Sequence, residues 1–264
     1  MSLSPTDYFD LTTLTRHRTL FEGLFYVWEV LERLADYLRE HLQPLPPEVP
    51  LAEPLREGLV FWEGEFLPFS EVKIFRKGRG FRILRRGEEL SEAALVFPGA
   101  VFMDREVGLS PGVVVEPGAL LYGPTLLGPG TEVRQGAYVR GEVLTGEGCV
   151  IGHTTEVKRA LFLDRAKAGH FAYVGDSLLG REVNLGAGTK LANLRLTRGT
   201  VRVRVGGQEV DTGLRKLGAV LGDGVQTGCN SVTNPGTFLG PGSLVLPNVT
   251  VGPGVFPARS VIKK

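Results

Sequence analysis

From residue 115 to residue 168 the chain divides into six-residue units with nothing left over: VEPGAL, LYGPTL, LGPGTE, VRQGAY, VRGEVL, TGEGCV, IGHTTE, VKRALF and LDRAKA. The first position is usually Leu, Val or Ile, the second or fourth is often Gly, and the fifth is usually small or β-branched. The pattern returns over 179–196 and again over 221–256. A period of six is not that of a helix, and it exceeds the simple alternation of a strand. It fits a short strand followed by a corner. Three such units make one triangular coil, and stacked coils make a solenoid β-helix. The apolar first positions then point inward, and Gly permits corner conformations that a side chain resists. The 36 glycines and 17 prolines are the punctuation of this repeat, and the absence of a G-X-Y period excludes collagen. Cys149 and Cys229 read as small inward positions of the stack, not as redox groups.

The repeat is interrupted twice. Ten residues, GHFAYVGDSL, separate Ala168 from Leu179, so the register slips around His170. The stretch TRGTVRVRVGGQEVDTGLRK, residues 197–216, is a longer excursion. Its VRVRV and QEV segments flank Gly-Gly and predict a projecting hairpin. A solenoid needs neither interruption for its stability, so both are candidate site builders.

Residues 1–94 differ in kind and predict an α+β cap ahead of a solenoid over 95–264. Phe21, Leu24, Phe25, Trp28, Leu31, Ala35 and Leu38 recur at helical spacing and predict a helix over about 19–41, with Thr19 and Glu22 as a capping box. Prolines 44, 46, 47 and 50 end it, and FWEGEFLPFSEVKIF and GFRILRR read as short strands. The basic run FRKGRGFRILRRG, residues 75–87, reads as a hairpin with cationic solvent-facing residues, because the net charge of +1 gives no reason to expect nucleic acid. With 42% hydrophobic and 22% charged residues the chain is globular. No apolar run is long enough to cross a bilayer. Two cysteines and an N-terminus without a basic, then apolar, leader point to a reducing compartment, the cytoplasm.

The segment KAGHFAYVGDSLLGREVNLGAGTKLANLRL, with the RKLGAVLGDGVQTGCNS that follows, resembles the acetyltransferase half of the bifunctional glucosamine-1-phosphate acetyltransferase/sugar-1-phosphate nucleotidylyltransferase family, in its archaeal type. The likeness spans roughly 95–264 as a fold and is most specific over 167–236. It implies a mainly β fold, a left-handed parallel β-helix of hexapeptide repeats with a smaller α+β N-terminal segment. The family's nucleotidyltransferase domain carries a Gly-rich G-x-G-T-R loop that this chain lacks. The resemblance therefore implies the acetyltransferase half on a different cap, working in UDP-N-acetylglucosamine biosynthesis. It also implies a homotrimer that holds acetyl-CoA as co-substrate between neighbouring β-helices.

Acetyl transfer from a thioester to an amine needs a base, donors for the oxyanion, and reactants held together. His170 matches the family's catalytic histidine, and imidazole titrates near neutral pH. Glu156 would orient it. Arg140 and Lys158 match phosphate- and nucleotide-contacting positions, a bidentate guanidinium and a point-charge ammonium. Tyr173, Asn184 and Asn193 match sugar-site residues, and Lys216 a further substrate lysine. Ala187 matches a backbone contact to acetyl-CoA. Cys229 stands where bacterial relatives have serine, and Leu194 where the family has tyrosine. His153 and Glu156 alone make a poor metal site, since the chain has only four histidines and no close pair, so no metal is expected. Two readings follow: a CoA-dependent N-acetyltransferase of an amino-sugar 1-phosphate, or a non-catalytic sugar-nucleotide-binding or assembly module. Nucleotidyl transfer is opposed by the missing loop.

Overall fold

The computed structural model describes residues 3–78 and 80–263. Met1 and Ser2 of the N-terminal stretch, Arg79 of the basic run and Lys264 lie outside the described residues. The hexads form a parallel β-helix of triangular coils. On face one, nine parallel rungs follow one another from Ala94–Val96 to Val261–Ile262. Face two begins at Val101–Phe102 and face three at Val107–Leu109. Each rung hydrogen-bonds to the next at the ordinary strand spacing of about 4.8 Å. Val115, Val133, Ile151, Ala168 and Leu185 stack inside from face one, and Val139, Val157 and Val174 from face two. All are buried, each Val, Leu or Ile contributing about 1.5–3 kcal/mol of apolar burial.

The slip in register has a definite origin, and it begins one coil earlier than the hexads suggest. Val133 pairs with Ile151, an interval of 18, whereas Ile151 pairs with Ala168 and Ala168 with Leu185, intervals of 17. The lost residue comes from the corner between faces two and three. Where one coil has Arg140, Gly141 and Glu142, the next has only Lys158 and Arg159, and the one after has Gly175 and Asp176. The strands Glu156–Phe162 and Tyr173–Leu179 consequently run through the corner unbroken, with Arg159 (φ 44°) and Asp176 (φ 45°) left-handed at the bend. The hexad LDRAKA conceals the first loss, because Leu163 is apolar but packs outward against the cap.

Face three explains why a cap exists. Its strands read TLL, VLT, ALF and SLL, apolar on both sides, as for a strand buried on both faces. The outward members Leu126, Leu144, Leu161 and Leu178 are covered by Trp28, Leu31, Leu34 and Leu38 of the N-terminal segment. Helix α1 spans Val30–His41, shorter than the expected 19–41. Arg18–Phe21 is a 3-10 turn, and Gly23 (φ 70°) turns the chain. The Glu29 carboxylate accepts bonds from the Phe25 and Tyr26 amides (2.8 and 2.9 Å), so the start belongs to Glu29 and not to Thr19 and Glu22. Phe25 leaves the apolar stripe and is 73% exposed.

The excursion does form an antiparallel hairpin, Arg202–Val205 with Gln208–Asp211, but it does not project. Val201 and Val203 are buried with Phe238 on face three, while Arg202 and Arg204 point out, the alternation expected of a strand with one wet side. The cap also seals the first coil. Leu59–Trp62 pairs antiparallel with Ala94–Val96. Leu45, Ala52 and Leu55, from the proline-rich stretch, donate amide bonds to Arg105, Phe102 and Ala100. In the basic run, Arg82 pairs with Glu89, and Arg85 with Glu71 and Glu65.

Candidate active site

The edge between faces one and two is a column of left-handed residues. Gly99, Gly118, Gly136, Gly188, Asn230 and Asn248 occupy it, all suited to positive φ. At two coils the column instead holds Thr154 (φ 51°) and Phe171 (φ 51°). His170 is the residue before that corner, at the end of the strand Lys167–His170, in register over His153. Its carbonyl accepts from the Gly188 amide (2.9 Å), which fixes the backbone, and its imidazole is exposed. The Phe171 ring stands edge-on to His153 (5.3 Å between centroids) and 6.2 Å from His170.

On the face-one side of this edge lies a cleft of about 720 Å³. His170, Asn184, Ala187 and Cys229 share it with Arg134 and Lys167, and Arg76 and Phe81 of the cap form part of its wall. Cys229 is exposed, which corrects its assignment to the core. In TGCNSV it is the third residue, at a corner, and Ser231 fills the buried fifth position. Cys149 does occupy a fifth position. It is buried, its Sγ lies 3.2 Å from the Leu163 carbonyl oxygen, and burial pushes its thiol up to about 12.

Around the edge, face two carries most of the other candidates. Glu156 pairs with Tyr138 on one side and Tyr173 on the other. Arg140 donates to Glu156 at 2.6 Å, and among the described residues no hydrogen bond joins Glu156 to His170. In this structure the Glu156 carboxylate is engaged by Arg140. Burial raises the Tyr173 phenol above its ordinary value. Tyr173 Oη and Asn193 Nδ2 both lean over Gly175, where an added Cβ would stand 2.6 and 2.5 Å from them, so only glycine leaves room. Asn193 is buried and donates to Asp176, and Asp176 pairs with Arg159 (3.2 Å). At the far edge of face two, Lys158 and Lys216 meet in a smaller cleft of about 340 Å³ beside α1. Leu194 bridges to Lys216 and is 45% exposed.

The arrangement therefore runs from the face-one cleft, over the His170 edge, across face two, to a cationic corner. Three contributors escaped sequence reasoning. Asp176 stood in the quoted GHFAYVGDSL but gave no sign of burial, Arg215 was passed over for its neighbour Lys216, and Arg76 belongs to a segment with no repeat to locate it.

Such a coil stack, with a histidine at a broken edge, defines a hexapeptide-repeat β-helix protein. Residues 121–238 match the family described as the GMPPB C-terminal domain. The bifunctional sugar-1-phosphate nucleotidylyltransferase/acetyltransferase of Sulfurisphaera tokodaii is 42% identical over 101 residues, 38% of this chain and 25% of that protein. The bifunctional protein GlmU of Methanococcus maripaludis strain C7 is 37% identical over 113 residues, 43% of this chain and 27% of that protein. The matched stretch is about a quarter of the length of these relatives. Among solved structures, the acetyltransferase domain of PglB from Neisseria gonorrhoeae FA1090 aligns at 13% identity and a TM-score of 0.23, over 56% of this chain and 50% of that one, too slight a likeness to argue from. The solenoid is similar to the hexapeptide-repeat half of the bifunctional sugar-1-phosphate nucleotidylyltransferase/acetyltransferases, as the His170 segment implies.

Proposed function

We propose that the chain is a CoA-dependent N-acetyltransferase acting on an amino-sugar 1-phosphate of the glucosamine 1-phosphate kind. The observation that carries this reading is the position of His170, exposed on an edge with one cleft on face one and a polar, cation-bearing surface on face two. Acetyl-CoA would lie in the face-one cleft against Ala187 and Cys229, and the sugar on face two against Tyr173 and Asn193, while Asn184, matched to the sugar site by resemblance, lines the face-one cleft beside His170. Arg140, Lys158 and Lys216 would neutralise the phosphate. His170 accepts the proton as the amine nitrogen attacks the thioester carbonyl carbon. The tetrahedral oxyanion then collapses, the C–S bond breaks, and the departing thiolate takes the proton from the imidazolium. No acyl-enzyme forms. The printed name of the Sulfurisphaera relative pairs acetyl transfer with sugar-1-phosphate chemistry, which supports the same reading.

One observation favours a non-catalytic sugar-phosphate-binding module: the Glu156 carboxylate is engaged by Arg140, leaving His170 without it. Thiol release from acetyl-CoA with glucosamine 1-phosphate separates the two. In the acetyltransferase, His170→Ala lowers turnover by about 10²–10⁴-fold with substrate affinity largely kept. Its melting temperature stays that of the parent, because the side chain lies outside the packed ladder. An absence of thiol release across a panel of amino sugars removes the enzymatic reading.

A further inference from the structure

The cap is not only a cover for face three. Helix α1 reaches the edge between faces two and three, where Leu31, Glu32 and Ala35 form one wall of the 340 Å³ cleft. The contact is anchored by Arg159, whose Nε donates to the Leu31 carbonyl at 3.4 Å. The charges there divide into two groups. Arg159 pairs with two carboxylates, Asp176 (3.2 Å) and Glu142 (3.5 Å), which together outweigh its single charge. Lys158, Arg215 and Lys216 make no ion pair among the described residues, and neither does Glu32 across from them. Over the whole lining, four cations stand against the carboxylates of Glu32, Glu142 and Asp176, which leaves a surplus of about one positive charge for a phosphate monoester to meet.

We propose that Glu32 is a specificity-determining residue that makes this cleft accept a sugar monophosphate and refuse a nucleotide-diphosphate sugar. The inference rests on the reading of face two as the sugar-phosphate surface. His170 and this cleft lie at opposite edges of that face, so a sugar whose amine faces His170 directs its phosphate toward Lys158 and Lys216. A second phosphate joined to the first by an anhydride bond would extend toward α1 and meet the Glu32 carboxylate, and like charges brought together in a partly enclosed cleft repel. With a monophosphate the same carboxylate stands farther from the ligand's charge and opposes it less.

Calorimetric titration with glucose 1-phosphate and with UDP-glucose tests this without requiring turnover. Neither probe carries an amine, so the result is independent of whether acetyl transfer occurs. The parent protein binds glucose 1-phosphate more tightly than UDP-glucose. Glu32→Gln narrows that ratio by at least about fivefold and Glu32→Lys reverses it. Lys158→Ala weakens both ligands, which locates the binding. A ratio unchanged within twofold in both Glu32 variants overturns the proposal, as does a parent protein that prefers the diphosphate or binds neither probe at millimolar concentration. Absence of acetyl transfer alongside the expected ratios would remove the enzymatic reading and leave this one standing.

Discussion

Phe171 carries a bulky side chain at φ 51°, in a column where every other coil except that of Thr154 places glycine or asparagine, and it is 54% exposed. Left-handed backbone at such a residue costs on the order of 1–3 kcal/mol, and little burial here repays it. What the ring does provide is contact with His153 and His170, at 5.3 and 6.2 Å. Phe171→Asn is therefore expected to raise the melting temperature by about 2–4 °C, the shift that about 1 kcal/mol gives in a chain of this size. Thiol release should fall at the same time, because the imidazole loses its neighbour. A scanning calorimetry trace with no gain in stability would show that the corner is unstrained. At this scale the sequence is informative where chemistry is rare. One histidine in a broken repeat is easy to single out. Cys229 was misplaced because a template with tolerant positions does not by itself distinguish the third residue from the fifth. The Glu156–Arg140 bond was not legible, since strand spacing alone does not say which of several charged neighbours a carboxylate takes.

His17 ties the N-terminal segment to α1. It sits at φ 59°, its Nδ1 lies 2.9 Å from Tyr37 Oη, and the Tyr37 ring stacks on His41 at 3.9 Å. Burial, then the charges of His41 and Arg16, lower its pKa from 6.5 to about 4. Between those two values the unfolded chain binds a proton that the folded one refuses. The associated stability is therefore full above pH 6.5 and is lost progressively as the pH falls to about 4. Melting curves from pH 7 to pH 4 should show that decline, and it should be smaller in His17→Asn, whose side chain tolerates left-handed backbone. An equal decline in both proteins would mean that other groups carry the acid sensitivity. The elements themselves divide by how local their cause is. Rungs were legible because inward packing repeats every six residues. The extent of α1 was not, because its apolar stripe continues into Phe21 while Gly23 and the Glu29 cap decide where helical geometry starts. Nor was the hairpin's posture, which depends on an apolar outer surface of face three contributed by several separate rungs.

For the molecule as a whole, face three is covered by the cap and the hairpin, which leaves faces one and two, the faces that carry the site, as the open sides of the solenoid. Leu244 and Val261 lie paired on face one and are 41% and 58% exposed, with Leu246 beside them at 42%. We propose a closed cyclic trimer through these faces, since cyclic symmetry repeats one interface and leaves none unmatched. Sedimentation equilibrium at micromolar concentration should return about three times 28.6 kDa. A fully active monomer would remove the trimer. The architecture also settles how the protein avoids its own most dangerous partner. A stack of identical rungs is a template for endless head-to-tail growth, because each end presents the complement of the other. Here the first rung is occupied by Leu59–Trp62 on face one and by the proline-rich strap on face two, and proline offers no amide with which to recruit a further strand. This end therefore presents no bare solenoid rung, which disfavours the head-to-tail joining of copies. The cap that covers face three thus also acts as a chain terminator for polymerisation.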